Sequence, residues 1–179
     1  MSIIERNFQN CCSTPSDINQ LLPIIKSYAD NCEIVTELGV RNVVSTWALL
    51  ASKANKVISY DINYNQYIAG CGKICGQEGR NWQFILDSSL SCDIETTDLL
   101  FIDTFHTYSQ LKAELERHNK QVKKYILMHD VSVFSRISEN GMTKGLLDAI
   151  EEFVKFNNNW KVKEFYTQNN GLMILERII

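Results

Sequence analysis

The chain has 179 residues, 45% hydrophobic and 22% charged, with a net charge of −3 and a pI ≈ 5.6. That composition fits one globular domain with a substantial core and excludes a disordered chain. The acidic balance argues against sequence-independent nucleic-acid binding, no apolar run reaches the roughly 18–20 residues of a membrane span, and "MSIIERNFQN" carries no apolar leader core. The expectation is a cytoplasmic protein without nucleic-acid or membrane partners.

In chain order, "CCSTPSDINQLLPIIKSYAD" (11–30) reads as the first helix. Thr14 would be its N-cap, Pro15 its first residue and Asp17 its capping-box acid. Pro23 lies inside the apolar pattern, so a kink or a later helix start is expected there. Strands and helices then alternate. The strands are 33–37, 56–60, 82–86, 98–102 and 124–128, short and apolar on both faces as buried parallel strands are. The helices are 43–53, 63–76, a short one near 88–93, 108–120, and 144–156 with Leu146, Leu147, Ile150, Phe153 and Val154 as its apolar stripe. The irregular stretch 131–143 is expected to be a lid on the acceptor side of a site. "WKVKEFYT" and "GLMILERI", separated by "QNN", read as a terminal hairpin. The pattern predicts an α/β fold, a doubly wound, mostly parallel Rossmann-like sheet with an antiparallel C-terminal hairpin. It forms one domain over 1–179, with an N-terminal helical segment (1–31) and a core (32–179).

The six cysteines (Cys11, Cys12, Cys32, Cys71, Cys75, Cys92) lack a second ligand pair at zinc-finger spacing and read as buried or half-buried thiols.

In an open α/β sheet, ligands bind beyond the carboxyl ends of the strands. Those ends carry Glu37 and Gly39, Asp61, Asp87, Asp103 with His106, and His129 with Asp130. Any one aspartate there is most simply a helix cap, but five acids and two of the three histidines on one rim suggest a site. Asp61 lies 22 residues past Gly39, a spacing that suits a carboxylate accepting from ribose hydroxyls. Ser45 and Thr46 belong to the helix turn after the glycine, whose N–H groups face an anionic ligand end. Only one glycine is present, with Arg41 where a second is expected.

These residues resemble the class I S-adenosylmethionine-dependent methyltransferases. "TELGVRNVVSTWALL" is similar to the first motif of a subgroup in which later glycines are relaxed. "FIDTFHTYSQLKAEL" and "YILMHDV" closely resemble its fourth- and fifth-strand segments. That subgroup includes O-methyltransferases of the sugar-modifying and cephalosporin-biosynthesis type, and the likeness spans roughly residues 30–176. It implies an O-methyltransferase that takes S-adenosyl-L-methionine as cofactor and a hydroxylated small molecule or saccharide as acceptor. Glu37, Gly39, Ser45, Asp61, Asp87, Ser88 and Asp103 are the implied cofactor residues. His106 is implied as general base beside Asp103, and Asp103 and Asp130 as ligands of Mg²⁺ if a metal is used. His129 departs from the Glu found in metal-dependent sugar enzymes, and its simplest reading is a buried histidine bonded to backbone. Two other functions fit the pattern less well: a methyltransferase-like binding module without turnover, and an NAD-dependent dehydrogenase, which lacks its G-x-G-x-x-G.

Overall fold

The structure, a computed structural model, describes residues 1–178. Five parallel strands form its centre: β1 (Ile34–Leu38), β2 (Lys56–Asp61), β3 (Trp82–Leu86), β4 (Thr97–Ile102) and β5 (Val122–His129). β6 (Trp160–Tyr166) and β7 (Leu172–Arg177) form the terminal hairpin. The sheet order is β3-β2-β1-β4-β5-β7-β6, with β7 antiparallel to both neighbours. The expected fold class is what the structure has. Inserting β7 between β5 and β6 departs from the 3-2-1-4-5-6 order of dinucleotide-binding dehydrogenases.

The helices are α1 (Ile3–Ser13), α2 (Leu22–Ala29), α3 (Val44–Leu50), α4 (Gln66–Glu78), α5 (Tyr108–His118) and α6 (Leu146–Phe156). Alternation along each buried strand feeds two cores. Val35, Leu99, Phe101 and Leu127 pack against α1–α4. Leu38, Leu100, Ile102 and Met128 pack against α5 and α6. Among the described residues, no helix is long and apolar enough to cross a membrane. All six cysteines are free, and four are buried.

Three expectations change. The single helix over 11–30 is two helices. Thr14 closes α1 as its C-cap, its hydroxyl donating to the Asn10 carbonyl at 2.8 Å, and Pro15 blocks continuation. α2 starts at Leu22 with Pro23 in its first turn, the position proline tolerates. Residues 14–21 become a loop across the top of the sheet. Near 88–93 there is one turn and no helix: the Ser88 carbonyl accepts from Ser91 and Cys92 N–H groups, and no apolar face follows to extend it. Residues 131–143 are folded back by an Ile137–Lys144 bridge and line neither large cavity of the site.

Candidate functional site

β1 and β4 are neighbours whose following loops run to opposite sides of the sheet, so a crevice opens between them. Gly39 stands at its floor. Its N–H donates to the Tyr60 carbonyl, and the Asp103 N–H donates to the Leu38 carbonyl, each at 2.9 Å. The loop then curls through three left-handed residues, Gly39 (φ 89°), Arg41 (φ 50°) and Val43 (φ 59°). Arg41 therefore adopts the conformation a second glycine would supply. Side chains hold it there: one Asp61 oxygen accepts from the Val40 and Arg41 N–H groups at 2.8 and 3.0 Å, and the Asn65 amide donates to the Arg41 carbonyl at 2.7 Å.

Glu37 lies beneath this loop and is fully buried. It accepts from the hydroxyls of Ser45 (2.6 Å), Thr46 (2.9 Å) and Ser59 (2.7 Å). Burial pushes its carboxyl up to about 7, partly opposed by those three hydroxyls. It lines neither large cavity, and both oxygens are committed to tying α3 and β2 to β1, directly beneath the Gly39–Arg41 loop.

Two cavities flank the Gly39–Arg41 loop. One, of about 430 Å³, is lined by Gly39, Asp61, Asp87, Ser88 and Asp103, all expected from sequence, together with Tyr60, Ile62, Leu90, Phe105 and Gln110. Ile62, Leu90 and Phe105 expose apolar surface there. The other, of about 380 Å³, is lined by Ser16–Ile18, Val40–Asn42, Val44, Ser45 and Asp103. Asp103 and the Val40–Arg41 loop border both. The sequence missed the Ser16–Ile18 wall because that stretch reads as a helix start. Ile62 and Phe105 carry no signal of their own, because an apolar residue just past a strand-end acid reads as core. Gln110 had one signal, its place in the first turn of the helix that follows Asp103.

Behind Asp103 the charged groups crowd. His106 Nε2 lies 3.2 Å from Asp103 Oδ1 and 2.9 Å from Asp130 Oδ2, while its Nδ1 lies 3.0 Å from Glu139 Oε2. Burial opposes a charge on this ring, but the Asp103 and Asp130 carboxylates outweigh it and push it up to about 10. His106 is thus an imidazolium at neutral pH in this arrangement and lines neither large cavity. Asp130, at a left-handed φ of 62°, is held well below the usual carboxylate range: burial raises it, and the two histidines more than reverse that. His129 Nε2 faces the carbonyls of Asp17 (3.2 Å) and Asn169 (3.0 Å), as a backbone-bonded histidine should. Its Nδ1 faces the carboxylates: burial opposes a charge on this ring too, and Asp103 and Asp130 outweigh it and push it up to about 10. Asp103, His129 and Asp130 bring one donor atom each to within 4.8 Å of one another, and Asp130 Oδ1 and His129 Nδ1 are buried without hydrogen-bond partners. Buried polar atoms are seldom left so, and two carboxylates with an orphaned nitrogen fit a divalent cation.

No protein-family model and no curated sequence matches the chain. Solved structures do. A Staphylococcus aureus protein assigned as a caffeoyl-CoA O-methyltransferase superposes with TM-score 0.70 at 18% identity, over 99% of this chain and 93% of that one. The fold is that of class I methyltransferases. An S-adenosylhomocysteine-bound methyltransferase from Podospora anserina gives TM-score 0.65 at 12% identity, over 98% of this chain and 88% of that one. The N-methyltransferase NodS of Bradyrhizobium japonicum, in complex with S-adenosylhomocysteine, gives 0.66 at 10%, over 97% and 98%. At such identities the likeness is one of fold, and chemistry has to be argued from the site.

Proposed function

We propose that the chain is an S-adenosylmethionine-dependent O-methyltransferase acting on a hydroxylated small molecule or saccharide. The observation that carries this reading is the cavity over Gly39, with Asp61, Asp87 and apolar surface on its walls and Asp103 at its border with a second cavity. Adenosine needs an apolar slot with acceptors for its ribose hydroxyls and ring amino group. Ile62, Leu90 and Phe105 offer the slot, and Asp61 and Asp87 with Ser88 the polar contacts. Asp61 already accepts three backbone N–H groups, from Val40, Arg41 and Asn63. A carboxylate has about four acceptor sites, so capacity for a ribose hydroxyl remains. The methyl donor and acceptor would meet where the two cavities share Asp103.

Methyl transfer is an in-line displacement at a sulfonium carbon, for which the protein supplies alignment and removal of the acceptor's proton. Asp103 is the proposed contact with the acceptor hydroxyl, and His106 the group that carries the proton away. His106 serves only once its own proton is gone, which requires Asp103 and Asp130 to be engaged by another cation. Mg²⁺ is the cation the family resemblance implies; held by Asp103 and Asp130, it would lower the pKa of a bound hydroxyl.

Calorimetry should detect S-adenosylhomocysteine binding, weakened about tenfold to a hundredfold in Asp61→Ala. Asp61→Asn, which keeps an acceptor for the loop, separates ribose contact from loop disorder. No binding at millimolar ligand would overturn the cofactor reading. With an acceptor found by methyl-transfer screening, His106→Ala should lower turnover about 10²- to 10⁴-fold and leave S-adenosylhomocysteine affinity unchanged. Full activity in that variant would remove His106 from the mechanism. A second reading, a binding module without turnover, is favoured by the three carboxylates that hold the His106 proton. Tight cofactor binding with no acceptor methylated would support it.

A further inference from the structure

We propose that His129 Nδ1 is a third ligand at the Asp103–Asp130 site, and that the site is therefore selective for a first-row transition cation such as Mn²⁺, Co²⁺ or Zn²⁺ over Mg²⁺. His129 is 2% exposed and Asp130 5%, so neither has water as an easy partner. The ring is fixed from behind. Nε2 lies against two carbonyls, of Asp17 in the loop between α1 and α2 and of Asn169 in the β6–β7 turn. Carbonyls only accept, so Nε2 carries the hydrogen, and Nδ1 faces two carboxylates that favour a positive charge there, either a second proton or a cation taken up by the nitrogen's lone pair. This is the outer-shell arrangement of metal-bound histidines, whose far N–H donates to a backbone carbonyl.

The distances agree. His129 Nδ1 lies 3.5 Å from Asp103 Oδ1 and 3.4 Å from Asp130 Oδ2. Those are long for hydrogen bonds, and neither counts as one by geometry. Ligands about 2.1 Å from one tetrahedral ion lie about 3.4 Å apart. Asp130 is held in its left-handed backbone conformation, the kind of local strain that collects at functional sites. Mg²⁺ prefers an all-oxygen, partly hydrated shell, whereas imidazole moves preference toward the later divalent ions. His106 contacts the same two carboxylate oxygens through its Nε2 but is the less buried ring, at 16% side-chain exposure against 1% for His129. It is the side chain a metal would displace.

This inference rests on the reading that a cation joins Asp103 and Asp130, and it is tested on metal binding alone. It can therefore fail while S-adenosylhomocysteine binding stands, and the reverse. The full chain is titrated with MnCl₂, CoCl₂, ZnCl₂ and MgCl₂ separately. Mn²⁺ is followed by spin resonance, Co²⁺ by visible absorption, Zn²⁺ by imidazole nitrogen NMR, and all four by calorimetry. The expected result is binding of Mn²⁺, Co²⁺ and Zn²⁺ at least about tenfold tighter than Mg²⁺. On Zn²⁺ addition the His129 Nδ1 resonance should move while Nε2 keeps its proton. His129→Asn should lower Co²⁺ and Zn²⁺ affinity about 10- to 100-fold with little change for Mg²⁺. The wild-type NMR needs no variant to fold, so a destabilised His129→Asn does not decide the matter. Equal affinity for Mg²⁺, an unmoved Nδ1 resonance, or Co²⁺ absorption dominated by thiolate bands that persist in Asp103→Asn would each overturn the proposal.

Discussion

Replacing Gly39 with alanine should destabilise the protein by about 3 kcal/mol and abolish measurable S-adenosylhomocysteine binding. Two penalties add. At φ 89° an L side chain meets its own backbone, a cost of about 1–2 kcal/mol. A Cβ at this position would also stand 1.9 Å from the Asp103 carbonyl oxygen and 2.7 Å from its carbon. That is backbone, so no side-chain rotation relieves it, and overpacking of this kind costs about 1–3 kcal/mol. For a chain of this length the fall in Tm is roughly 6–12 °C. The functional loss is larger than the stability loss, because the displaced group is Asp103, which borders both cavities. The same substitution at Gly70 or Gly76 inside α4, where an added Cβ meets nothing within 4 Å, should instead stabilise by up to about 1 kcal/mol. Thermal denaturation of the three variants checks this. Equal Tm values for Gly39→Ala and wild type would show that the β1 loop can retreat from β4.

The same contact explains why one glycine was a readable signal and the rest of the loop was not. Gly39 follows a β-branched run, and strand–glycine–helix is visible in any sequence. Arg41 and Val43 in left-handed conformations are not, because nothing in a single residue type announces that Asp61 and Asn65, some 20 residues on, will hold the backbone there. The five parallel strands are legible because burial on both faces leaves unbroken apolar runs. The acids after them are legible because the fold sends every such residue to one rim. What remained hidden depends on contacts distant in sequence. The loop at residues 14–21 looks like a helix start because Thr-Pro-x-Asp satisfies local capping rules, and only the α1 turn before it shows that Thr14 closes a helix instead. His129 was expected to bond backbone and does so. That its other nitrogen faces Asp103 and Asp130 follows from where the Asp17 and Asn169 carbonyls fall, which no local pattern encodes.

Glu37→Gln should remove a pH dependence of stability that wild type carries between about pH 4.5 and 7, worth about 3 kcal/mol. The sign follows from burial. The Glu37 carboxyl ordinarily titrates at 4.5 and in the folded chain is pushed up to about 7, because a charge there is cut off from water. Across that window the native state holds a proton that the unfolded chain has released. Stability from this group is therefore full below about pH 4.5 and lost as pH rises through about 7. Asp103 and Asp130, whose carboxyls are held low, act in the opposite direction at more acid pH, so the useful quantity is the difference between wild type and Glu37→Gln. Glutamine fits the site. Its oxygen can accept from Ser45, and its amide can donate to the Thr46 and Ser59 hydroxyls if they turn to accept. Chemical denaturation at pH 4.5, 6 and 8 should find the two proteins closest at the acid end, with wild type losing ground up to about pH 7 and little beyond it. A difference that stays constant with pH would mean that Glu37 is ionised throughout. In that case the three hydroxyls alone would offset its desolvation, and the loop above it would rest on a buried charge rather than on a neutral, hydrogen-bonded carboxyl.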